Sequence, residues 1–114
     1  MKPILPSLKE RKRYVVFEII SKSKIKAFSS VSKALKSRAL SFAGEEGASG
    51  MGLQVLKEKY DGRLQRGIAR VSASTTDQFK AALAMIEEME DQPVLVRSLG
   101  VSGILAKAEK YIAA

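Results

Sequence analysis

The chain has no cysteine and no histidine among its 114 residues, and these absences remove most of the chemistry open to a small protein. Without cysteine there are no disulfides, thiolate zinc sites or thiol nucleophiles. Without histidine there are no Ser-His-Asp triads, HExxH metal sites or imidazole bases. No apolar run approaches the ~18 residues that a membrane span needs. The opening Met1-Lys2-Pro3-Ile4-Leu5-Pro6 leads into charges, not into an apolar stretch with a small-residue cleavage site, so it does not read as a secretory signal. The expectation is a cytoplasmic protein, away from membranes and poorly equipped for catalysis.

What is present is a compact, basic chain. Hydrophobic residues make up 46% and charged residues 28%, the balance of a single soluble domain. The net charge is +8 and the pI near 9.9. Residues 1–70 carry sixteen basic and six acidic side chains, net +10, whereas residues 71–114 carry four and six. Basic residues segregated in this way on a domain of pI above ~9 are the footprint of a polyanion binder, with nucleic acid ahead of an anionic membrane.

Residues 1–12 read as an extended basic segment and 13–114 as one domain. Arg13-Tyr14-Val15-Val16-Phe17-Glu18-Ile19-Ile20 is a strand, too apolar on both sides for either to be fully exposed. Ile25, Phe28, Val31, Leu35, Ala39 and Phe42 draw one stripe on a helix expected over about residues 24–43, ended by Gly44. Gly44–Gly52 reads as a flexible loop, since four of its nine residues are glycine. Leu53–Tyr60 and Arg66–Ala73 read as a hairpin turning at Asp61-Gly62. Thr75 and Gln78 suggest a capping box opening a helix to about residue 90, with Phe79, Ala82, Leu83, Ile86 and Met89 inward. Glu87, Glu88, Glu90 and Asp91 would crowd its last turn, beside the negative end of the helix dipole. Pro93–Arg97 reads as a short last strand. A turn at Leu99–Gly103 would follow, then a terminal helix with Ile104, Leu105, Ala108, Tyr111 and Ile112 on one side.

The order βαββαβ plus a terminal helix predicts an α+β, ferredoxin-like fold: a four-stranded antiparallel sheet with both major helices on one face and the other face free. RNA-recognition domains share this topology. Their third-strand octamer has a partial counterpart in Arg66-Gly67-Ile68-Ala69-Arg70-Val71-Ser72-Ala73, which keeps the basic residue, the glycine and the valine but lacks every aromatic. Arg70 can reach phosphate or stack its guanidinium plane, or this is a half-buried strand that happens to begin Arg-Gly. Tyr14 and Leu95, expected on the free face, read as protein-contact residues. The loop around Gly47–Gly52 lacks the Lys-Ser/Thr of a P-loop. Gly100-Val101-Ser102-Gly103 is either an anion site at a helix start or a plain capped turn.

Leu5-Pro6-x-Leu8, Lys12-Arg13-Tyr14, Gly67-Ile68-x-Arg70 and Arg97-Ser98-Leu99-Gly100-Val101-Ser102-Gly103-Ile104 occur in an order and spacing that resembles the archaeal ribonuclease P protein component 2 family. The resemblance implies a non-catalytic subunit of the ribonucleoprotein that removes 5′ leaders from precursor tRNA. It implies that the RNA subunit is the catalyst, acting with Mg²⁺, and that the protein itself holds no cofactor. It also implies a barrel-fold protein partner, with precursor tRNA contacted only indirectly. A second copy of the chain is a further candidate for the free face. The RNA-binding residues expected are Arg11, Lys12, Arg13, Arg70, Arg97, Gly100, Ser102 and Gly103, with Lys33, Lys36 and Arg38 as a second tier. A ribosomal-type RNA-binding component, or a small-ligand regulatory domain of ferredoxin-like form, are the alternatives.

Overall fold

Strand β1, Lys12–Ser21, sits in the middle of the sheet, and its sequence explains why. Val15, Val16, Phe17 and Ile19 are all buried, so the strand is apolar toward both of its faces. A computed structural model describes residues 11–25 and 27–113, and the segment expected to be extended at 1–12 falls almost wholly outside them.

The sheet has five strands rather than four, all antiparallel, in the order β2-β3-β1-β5-β4. Strand β2 is Gln54–Val55, β3 is Arg66–Ser72, β4 is Glu88–Met89 and β5 is Gln92–Ser102. The extra strand, β4, arises where a longer helix was expected. Helix α2, Thr76–Ala84, stops early, and Glu90 and Asp91 take φ of 49° and 62° to turn a tight hairpin into β5. Four carboxylates at a helix C-terminus repel its dipole; in the hairpin they reach solvent or partners while Met89 stays buried. Glu90, for one, accepts hydrogen bonds from the Ala27 N–H and the Ser30 hydroxyl. The capping box does not form either: Thr75 and Thr76 donate back to the carbonyls of Ser72 and Ala73.

Helix α1, Phe28–Met51, starts later than its apolar stripe and runs through the expected glycine loop. It kinks at Gly44, whose φ of 77° and ψ of 174° are non-helical and cheap only for glycine. The helix then resumes. Each glycine costs it about 1 kcal/mol, which the complete burial of Met51, worth roughly 1.5–3 kcal/mol, offsets. Val31, Leu35 and Ala39 face the core as expected, but Phe42 is exposed, as is Leu40.

The first strand of the hairpin, expected over Leu53–Tyr60, is also shorter than read. After Val55 the chain forms a turn of 3₁₀ helix, Lys57–Lys59, which carries the Tyr60 ring inward to stack on Phe17 at 6.5 Å between centroids. The connection to β3 is closed by paired backbone hydrogen bonds between Asp61 and Arg66. Buried Gln65 pins it further, accepting from the Ile25 N–H and donating to the Ile19 carbonyl and the Ser21 hydroxyl.

Helices α1 and α2 cover one face through a core of Val15, Phe17, Ile19, Val31, Leu35, Val71, Phe79, Leu83 and Val96. The opposite face is not free. Helix α3, Leu105–Ala113, lies on it and closes a second cluster around Val16, Ile68 and Ala108, with Tyr14, Leu56, Leu99, Leu105 and Ile112 half-buried at its margin. Ile104, expected inward, is exposed.

Candidate nucleic-acid interface

Strand β5 is longer than its apolar run because Leu99–Ser102, expected as a turn, continue the pairing with β1. A bulge between the Val16 and Phe17 pairings absorbs one residue, after which Gly100 stands opposite Val16 and Ser102 opposite Tyr14. Gly100 is therefore part of the sheet, directly beneath α3: a Cβ built on it would lie 2.4 Å from the Tyr111 ring. Its glycine serves helix packing rather than an anion-binding turn. Only Ser102 and Gly103 reach the turn, where the Ser102 hydroxyl accepts from the Ile104 N–H at 3.0 Å.

Antiparallel pairing brings the start of β1 against the ends of β3 and β5, so residues distant in sequence share one end of the sheet. The Arg11 carbonyl accepts from the Ala73 N–H, and the Lys12 ammonium reaches the Ser72 hydroxyl at 3.5 Å. The Arg13 guanidinium lies against Gly103, close enough that a Cβ there would meet it at 3.0 Å. Next to Ser102 is an open cleft of about 510 Å³ lined by Val101, Ser102, Lys107, Lys110 and Tyr111. Two ammonium groups, a hydroxyl and a phenol around one cleft are suited to a phosphate oxygen. The sequence signal for it was the spacing of Lys107, Lys110 and Tyr111, which places all three on one side of α3. The sequence placed Tyr111 on the apolar side of the last helix and gave Lys107 and Lys110 no binding role.

The other expected residues are distributed differently. Arg97 is exposed, but its guanidinium pairs with Glu18 at 2.8 Å, and Arg66 holds the other oxygen of that carboxylate at 2.9 Å. Burial pushes the Glu18 carboxyl up; the hydrogen bonds and charges of Arg66 and Arg97 outweigh it and hold the group below its ordinary value. Arg70, on β3, shares the α3 face with Tyr14, its cross-strand partner, and donates to the Gln54 side chain. Lys33, Lys36 and Arg38 sit on α1, on the opposite layer, with both lysines exposed. Tyr14 is half-buried beside α3, whereas Leu95 is 54% exposed opposite Ile20, itself 45% exposed. Among the described residues, no group of three or more carboxylates could hold a metal ion, and no helix is long and apolar enough to cross a membrane.

An antiparallel sheet with helices on both faces and cations gathered at one end defines an α+β domain whose chemistry suits polyanions. The chain belongs to the Rpp14/Pop5 family, whose model matches residues 13–113. It is 39% identical to ribonuclease P protein component 2 of Archaeoglobus fulgidus over 98% of both chains. It is 33% identical to the protein of that name from Methanosarcina mazei, over 98% of this chain and 93% of the relative. In fold it is similar to a chain in the cryo-EM structure of yeast ribonuclease MRP, with a TM-score of 0.65, 14% identity, and coverage of 98% of this chain and 90% of that one.

Proposed function

We propose that this protein is a subunit of ribonuclease P, binding and stabilising the catalytic RNA that removes 5′ leaders from precursor tRNA. The observation that carries the reading is the near full-length similarity to ribonuclease P protein component 2. The gathered cations at the sheet end supply a physical role. Arg11, Lys12 and Arg13, together with Lys107 and Lys110, would neutralise crowded phosphates, with Ser102 and Gly103 offering neutral contacts beside them, so that the RNA reaches its active shape with less Mg²⁺. In this reading the RNA is the catalyst, Mg²⁺ belongs to it, and the protein works in the cytoplasm. Arg70 and Arg97 contribute from the α3 face, and Lys33, Lys36 and Arg38 form a separate, weaker patch. The four strands β2-β3-β1-β5, joined by three antiparallel pairings, support a ferredoxin-like core to which β4 and α3 are additions.

The exposed pair Leu95 and Ile20, beyond the edge of α3, is the place we assign to a protein partner of barrel fold, since apolar side chains gathered there are costly to leave bare. The test is reconstitution: the purified chain, with and without such a subunit, is added to ribonuclease P RNA and precursor-tRNA cleavage is followed against Mg²⁺ concentration. The proposal requires cleavage at lower Mg²⁺ when the protein is present. Identical Mg²⁺ curves with and without it would refute the role.

A further inference from the structure

Between β2, β3 and the first turn of α3 lies a second cleft, of about 340 Å³, within the ~300–1,000 Å³ typical of small-molecule sites. Tyr14 and Arg70, in register on adjacent strands, both line it, and Leu56 and Leu105 add apolar surface. The Arg70 guanidinium is only half used. Its Nη2 donates to the Gln54 side chain, while its Nε–H, buried, has no partner among the described residues. Nε–H and Nη2–H lie side by side and form a fork of two parallel donors, which matches two adjacent acceptors on one ligand. The exposed Gln54 amide now fills one tooth and can be displaced.

We infer that this cleft takes one unpaired guanine base of the bound RNA, stacked on Tyr14 with its O6 and N7 received by the Arg70 fork. The inference rests on the ribonuclease P reading and adds a site of sequence-selective contact to it. Guanine presents two neighbouring acceptors on that edge, and unstacked RNA bases are held by aromatic rings and guanidinium planes. A phosphate also offers two acceptors, but beyond Arg70 the lining adds no net charge to hold one. Lys57 and Glu58 offset each other, and the Lys59 ammonium is already paired with Glu109 at 2.5 Å.

The test uses the full chain and the pentaribonucleotides UUGUU, UUAUU and UUUUU, with UUGUU repeated carrying 7-deazaguanine, which lacks N7. Binding is followed through the Arg70 side-chain Nε–H resonance and by titration. UUGUU should bind about tenfold more tightly than UUUUU, and the 7-deaza base should lose most of that advantage. Arg70→Lys, which keeps the charge but loses the fork, should equalise the oligonucleotides, and Tyr14→Leu should weaken UUGUU and UUAUU together. Equal affinity of the unmodified protein for all four overturns the inference without any variant having to fold. A uniform loss in Arg70→Lys overturns it in favour of phosphate. The same preparations are titrated with whole ribonuclease P RNA. Tight, salt-sensitive binding there without guanine preference removes this inference alone, whereas no binding removes the ribonuclease P reading as well.

Discussion

Helix α3 is the element that the sequence placed least well, and Gly100 is where its seating can be tested. The Tyr111 ring lies over Gly100, so that an added Cβ would come within 2.4–2.7 Å of three ring atoms. No relaxed Cβ contact is that short. In Gly100→Ala the ring, already 40% exposed, has to swing out and give up its remaining burial. An aromatic side chain buries roughly 150–250 Å² when fully covered, so losing about half of that at ~25 cal/mol per Å² costs about 2–3 kcal/mol. Partial relaxation of α3 brings the expected loss to about 1–3 kcal/mol, the usual range for overpacking. Tyr111→Ala should cost a comparable amount, because it removes the same contact. The double variant should then be only slightly worse than either single one, an interaction of about 1–2 kcal/mol in a double-mutant cycle. Urea unfolding followed by far-ultraviolet circular dichroism measures all three, and amide exchange reports whether α3 has loosened. Additive losses, or a Gly100→Ala protein as stable as the parent, would show that the ring does not rest on Gly100.

Three further outcomes follow from the packing and the ion pairs. Phe79→Ala, at a fully buried position between α2 and the sheet, should cost about 3–5 kcal/mol in the same unfolding assay. Glu18→Gln should lose about 1–2 kcal/mol at neutral pH by leaving Arg66 and Arg97 without their shared carboxylate. Because Glu18 titrates below its ordinary value when folded, its contribution is complete above the unfolded pKa of about 4.3 and fades as pH falls through the folded value. The gap between parent and variant should therefore close on acidification below about pH 4, and a gap independent of pH refutes the ion-pair account. Leu95→Glu, on an exposed side chain, should leave stability within about 0.5 kcal/mol yet abolish co-purification with the proposed barrel-fold partner; retention of the complex would move that proposed interface elsewhere.

The parts of the fold that could be read from sequence are those where one local signal dominates. The stripe Val31, Leu35, Ala39 and the run Phe79, Ala82, Leu83 gave the α1 and α2 faces correctly, since periodic burial leaves few alternatives. Strand β1 held more information than the free-face expectation used. Val15, Val16 and Phe17 in succession are apolar toward both faces, which requires a cover on each side, and α3 is that second cover. Three of the misplaced boundaries depend on distant contacts: Met51 drawing a glycine-rich stretch into helix, Tyr111 holding Gly100 flat in β5, and Tyr60 turning the chain out of β2 to reach Phe17. The cationic residues were legible as types but not as a surface. Only the register of β1 against β3 and β5 brings Arg11, Lys12 and Arg13 to the same end of the sheet as Ser102, and pairs Tyr14 with Arg70.

The claim on which the account depends is that the cations at the start of β1 grip RNA phosphates. The salt dependence of ribonuclease P RNA binding tests it most directly, comparing the parent with the triple variant Arg11→Gln, Lys12→Gln, Arg13→Gln. Each phosphate contact releases counterions, so the slope of log affinity against log salt should flatten by about two to three in the triple variant, with affinities converging at high salt. An unchanged slope would mean that this basic cluster does not touch RNA, and would contradict the interface proposed for the protein.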